Sequence, residues 1–108
     1  MEKKYNKLVR DNIPEIITSN GGKTITRILS DEEYKLELEK KLYEEYNEVL
    51  SADNPQDRIE ELADMIEVIS ALAELENHDL DNVISVAKIK KKKRGGFKKR
   101  IFLESVDE

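Results

Sequence analysis

Residues 38–67 read LEKKLYEEYNEVLSADNPQDRIEELADMIE. Two carboxylate pairs, Glu45/Glu48 and Glu61/Asp64, stand at i, i+3 spacing, so the two side chains of each pair project from one side of a helix. Twelve residues separate Glu48 from Glu61, and among them Ser51, Ala52, Asp53, Asn54 and Pro55 read as a turn. Two helices joined by so short a turn are expected to lie antiparallel and adjacent. That arrangement gathers four carboxylates, which like-charge repulsion opposes unless a cation sits among them.

The helices extend outward from this stretch. Ser30 with Glu33 forms a capping box and opens a helix over about 31–51. On a wheel of 100° per residue, Leu38, Leu42 and Val49 fall in one narrow arc. Glu45 lies inside that arc, Glu48 on its shoulder and Glu44 well outside it. Asp53 or Asn54 caps the next helix, with Pro55 in its first turn. Its main face carries Ile59, Leu62, Met65, Ile66, Ile69, Leu72 and Ala73, and Glu61 again falls within the apolar arc. Apolar side chains reach so far round this helix that a second subunit is expected to cover part of it.

Pro14 in the first turn and Asn20-Gly21-Gly22 at the end mark a short helix near the start, faced by Ile13, Ile16 and Ile17. Asp79 caps a further helix that closes on Lys90–Arg94 and stops at Gly95-Gly96. Two β-branched or apolar segments, 24–29 and 101–103, are expected to pair as a small hairpin. The fold expected is therefore an all-α antiparallel bundle with a minor β element, one domain over 1–108.

Composition narrows the function. There is no cysteine, so disulfides and thiolate metal sites are excluded. No apolar run approaches the roughly 18 residues of a membrane span and the start has no signal-peptide core, so a cytoplasmic protein without membrane partners is expected. The net charge of −5 hides a segregation. Residues 31–67 hold fourteen acidic against four basic side chains, and residues 88–100 hold nine basic and none acidic. Nine positive charges with one aromatic, Phe97, make a poor stacking platform, so nucleic acid is not the expected partner. A phosphate clamp is expected instead, from Lys91, Arg94 and Lys98, with Lys7 and Arg10 as further phosphate-binding candidates.

The competing reading of the four carboxylates is a solvated acidic face. It is weakened at Glu45 and Glu61, which occupy packing faces where an unpaired carboxylate is costly. Oxygen ligands without cysteine, and with the single His78 elsewhere, favour Mg²⁺ or Mn²⁺ over Zn²⁺. Magnesium on a few carboxylates commonly keeps water and phosphate oxygens, which points to hydrolysis of a phosphoanhydride. Glu48, on the shoulder of its seam, is the candidate base.

Glu44-Glu45-x-x-Glu48, twelve residues, then Glu61-x-x-Asp64 resembles the signature of the MazG-like all-α nucleotide pyrophosphohydrolases, relatives of the phosphoribosyl-ATP pyrophosphohydrolases. The opening Tyr5–Pro14, YNKLVRDNIP, and the late Arg94-Gly95-Gly96-Phe97 fit a small-protein branch of that group. The resemblance implies Mg²⁺-dependent cleavage of a nucleoside triphosphate between the α- and β-phosphates, in nucleotide-pool house-cleaning. It places catalysis and metal binding on Glu45, Glu48, Glu61 and Asp64, in a homodimer or homotetramer with sites near the subunit interface. Phosphoribosyl-ATP as substrate and a non-catalytic helical interaction module are the alternatives.

Overall fold

The Ser30 hydroxyl accepts a hydrogen bond from the Glu33 backbone N–H, and the Glu33 carboxylate accepts from the Ser30 N–H in return. This capping box starts the first of two long helices in a computed structural model that describes residues 2–107. The described residues form four helices, α1 (Ile13–Ser19), α2 (Asp31–Ser51), α3 (Pro55–Leu75) and α4 (Leu80–Arg94). Each long helix begins where its sequence supplies an acceptor for an otherwise unpaired N–H. The Asn54 side chain takes the Asp57 N–H at 2.9 Å, with Pro55 behind it in the first turn. Asp79 and Asn82 cap each other reciprocally at the start of α4. Gly95 at φ +84 ends α4, a left-handed backbone that a side chain would strain.

Helices α2 and α3 form the body of the chain, joined by residues 52–54 and packed side by side. The buried core is Leu38 and Val49 of α2 with Glu45 between them, and Val68 and Ala73 of α3, where Ala73 lies beside Val83 and Val86 of α4. On α2 the face read from the wheel carries the observed core, Glu45 included. On α3 the match is partial, since Ala73 is buried but Ile59, Leu62 and Ile66 of the expected face are exposed and Val68, outside that face, is buried. Helix α4 packs against α3, and α1 makes no comparable contact with another helix.

No strand is present among the described residues, so the expected hairpin of 24–29 with 101–103 does not form. No backbone hydrogen bond joins the two segments, and apart from half-buried Leu29 their apolar side chains are exposed, Ile28 at 96% and Phe102 at 79%. An all-helical body offers no sheet to extend, and two strands alone are marginal in water.

So small a core leaves a large surface. The chain exposes 10288 Å², where a folded monomer of 12.5 kDa exposes roughly 6,200 Å². Its radius of gyration is 18.4 Å, against about 13 Å for a compact domain of this length. Ile59, Leu62 and Ile66 on α3, with Leu36, Tyr43 and Leu50 on α2, are among the exposed apolar side chains. Among the described residues, no helix is long and apolar enough to cross a membrane.

Candidate metal centre

Glu45 is 8% exposed, and no hydrogen bond or ion pair reaches its carboxylate among the described residues. It faces α3, where Glu61 and Asp64 project one turn apart. One carboxylate oxygen from each of the three lies within 4.8 Å of the others. Two helices therefore deliver three acidic oxygens to one point, the spacing at which a single hard cation could be shared.

The electrostatics of the cluster follow from that convergence. Burial raises the Glu45 carboxyl above its ordinary value, and the charges of Asp64, Glu61 and Glu44 push the same way while Lys41 opposes them. Glu61 is also raised, by desolvation first and then by Asp64 and Glu48. Both groups resist ionisation in the folded chain, first because burial disfavours the charged form and then because each negative charge meets another. A divalent cation among them would favour the ionised form of each carboxylate and outweigh their mutual repulsion.

Glu48, the fourth carboxylate of the sequence signature, is exposed and outside the three-oxygen cluster, although its charge reaches Glu61. Glu44 points away from the cluster, as the wheel required, and lies 3.6 Å from both Lys7 and Lys41. Lys7 thus meets the acidic helix at Glu44. Arg10 reaches the cluster itself: its Nη2 donates to Asp64 Oδ1 at 2.6 Å, in a pair about half exposed on both sides. Lys91, Arg94 and Lys98 lie on the end of α4 and in the segment after it, and none lines the cavity beside the carboxylates.

That cavity has a volume of about 310 Å³. Leu8 to Asp11 form one wall, and Glu45, Asp64, Leu38 and Val68 contribute the helical side. Lys41, Tyr34 and Glu67 also line it, and sequence reasoning did not single them out. Their signal was present in the spacing. Tyr34, Leu38, Lys41 and Glu45 follow one another at intervals of three or four, as do Asp64, Glu67 and Ala71. Tyr43 and Tyr46 lean on each other with ring centroids 6.1 Å apart and lie outside the lining.

Known proteins add little to this geometry. No family model matches the chain, and no solved structure matches it. An uncharacterised protein of Mycolicibacterium smegmatis is 50% identical over 46 residues, which are 43% of this chain and 47% of the relative. The match thus spans about half of the relative's length, and its name assigns no activity.

Proposed function

We propose that this chain is a Mg²⁺-dependent nucleotide pyrophosphohydrolase of the MazG-like kind, converting a nucleoside triphosphate to the monophosphate and pyrophosphate. The observation that carries the reading is Glu45: a largely buried carboxylate, without a hydrogen-bond or ion-pair partner among the described residues, facing two more carboxylates across 4.8 Å or less. A largely buried carboxylate that opens on a cavity beside two others is the arrangement a cation would relieve. The donor set fits a hard cation, with Glu45, Glu61 and Asp64 as the residues that would hold it and Mn²⁺ as an alternative to Mg²⁺. When bound, such an ion supplies charge neutralisation on the polyphosphate and a polarised phosphoanhydride.

The chain's own groups divide the remaining work. Arg10 and Lys41, on the walls of the 310 Å³ cavity, are placed to hold phosphate oxygens. Exposed Glu48, whose charge reaches Glu61, is the group left to take a proton from the attacking water. Water forms the new P–O bond at the α-phosphorus, its proton passes to Glu48, and the Pα–O bond to the β-phosphate breaks with its electron pair leaving on pyrophosphate. A second copy of the chain is part of the reading, as a dimer or a tetramer. The excess surface and the exposed Ile59, Leu62 and Ile66 support it. In that assembly Lys91, Arg94 and Lys98 have a route to a cavity they do not line within one chain.

Chromatographic product analysis across a nucleotide panel with Mg²⁺ tests the reaction. Monophosphate and pyrophosphate are expected from the wild type, with at least a hundredfold loss in Glu61→Gln. Release of orthophosphate would defeat the assigned bond. A preference confined to phosphoribosyl-ATP would transfer the same site to that substrate. Absence of any turnover, with Glu61→Gln retaining a binding partner of the wild type, would favour the non-catalytic module.

A further inference from the structure

The contact between Arg10 and Asp64 joins two parts of the chain 54 positions apart. It is held from both ends. The Arg10 carbonyl accepts the Ile13 N–H at 3.0 Å at the entry to α1, and Leu8 and Val9 are half-buried along the cavity wall. Asp64 is fixed on α3, one turn from Glu61. The guanidinium therefore occupies a set place beside the carboxylate cluster and pairs with one of its three members. Glu45, deeper in the core, receives no such partner.

From this placement we infer that Arg10 is the resident counterion of the metal-free cluster, and that it exchanges Asp64 for a polyphosphate oxygen when a divalent cation arrives. The inference rests on the metal-site reading above. An incoming cation competes with the guanidinium for the charge of Asp64. Once displaced, the guanidinium stays on the cavity wall, where its planar fork suits a phosphate. Cation and polyphosphate then assist each other: the cation frees Arg10 for the phosphate, and the phosphate holds Arg10 away from Asp64. Such coupling is reciprocal by linkage. Arg10 is a positioning residue in the metal-free state and a binding residue in the loaded one.

Calorimetric titration of the wild type, Arg10→Gln and Arg10→Lys with Mg²⁺ alone and Mn²⁺ alone tests the exchange. Arg10→Gln should bind the ion tighter, by up to about fivefold, the factor set by losing one half-exposed ion pair. Arg10→Lys, which keeps the charge, should stay near the wild type. In the Mg²⁺-saturated protein, inorganic tripolyphosphate should bind Arg10→Gln more weakly than the wild type. Equal or weaker ion binding by Arg10→Gln overturns the exchange, since Arg10 would then orient Asp64 as a ligand. Should that variant fail to fold, the Arg10 side-chain ¹⁵N resonances of the wild type decide. A move to solvent-exposed values on Mg²⁺ saturation supports the exchange, and unchanged resonances overturn it. Failure of the wild type to bind either ion removes the metal-site reading itself, an outcome separate from an ion that binds without regard to Arg10.

Discussion

Mg²⁺ should raise the melting temperature of the metal-free protein, and Glu45→Gln should abolish that response. In the absence of metal, three carboxylate oxygens are held within 4.8 Å of one another, with Arg10 offsetting the charge of one. Glu45 has no hydrogen-bond or ion-pair partner among the described residues, and burial, Asp64 and Glu61 oppose its ionised form while Lys41 favours it. An ion that binds the folded chain alone stabilises it by about 2.7 kcal/mol when its concentration is a hundred times its dissociation constant. With an unfolding entropy near 2.1 cal/mol/K per residue over 108 residues, that gain corresponds to a shift of roughly 12 °C. Glu45→Gln keeps the shape and removes the buried charge. Its metal-free form should melt a few degrees above the metal-free wild type, and Mg²⁺ should move it by no more than about 2 °C. Differential scanning calorimetry at pH 7.5, with EDTA and then with a Mg²⁺ series, measures both. A wild type indifferent to Mg²⁺, together with a metal-free Glu45→Gln less stable than the wild type, would refute the reasoning. Glu45 would then be making an interaction worth keeping without any cation.

The pH dependence of the metal-free protein carries two opposed contributions. Glu45 and Glu61 are raised above 4.5, so their contribution to stability is present below that pH and is lost as pH rises through their folded values. Glu33 is lowered to about 2, first by its hydrogen bond to Arg27 and then by the Ser30 N–H, so its contribution is present above 4.5 and is lost as pH falls toward 2. A calorimetric pH series should show both limbs, and saturating Mg²⁺ should flatten the upper one. Leu38, the most buried apolar side chain at 3% exposure, should cost 2–5 kcal/mol on truncation to alanine, roughly the range for a core leucine, read by urea unfolding. Sedimentation equilibrium should give a mass of at least twice 12.5 kDa, and charged substitutions at Ile59 and Ile66 should lower it; a monomer at all concentrations would remove the second copy from the reading.

The helix starts were legible because their determinants are local. Ser30, Asn54 and Asp79 each bond a backbone N–H three residues on, a geometry that sequence spacing specifies without any tertiary information. The place of Glu45 was legible for a related reason: a 3.6-residue period puts it between Leu38 and Val49, and both are buried with it. Pairing of 24–29 with 101–103 was a different kind of expectation. It joined segments more than seventy positions apart on β propensity alone, and that propensity reflects context more than an intrinsic backbone preference. Glu48 shows the limit of the wheel as well. A shoulder position turns toward a neighbouring helix or toward water according to where that neighbour stands, and here it is exposed. Arg10 on Asp64 lay beyond any periodicity, since the contact depends on how the N-terminal segment crosses the helix pair.

Residues 52–54, the short connection between α2 and α3, bear on the chain when it is not folded. Glu45 and Glu61 are sixteen positions apart, a separation at which flexible ends still meet at an effective concentration on the order of millimolar. The two halves of the acidic site are thus never strangers, even in a chain whose core has come apart. Loss of the fold scatters the cavity wall and frees Arg10, but the carboxylates need only a helical hairpin to find one another again, and such local closure is among the fastest steps a chain can take.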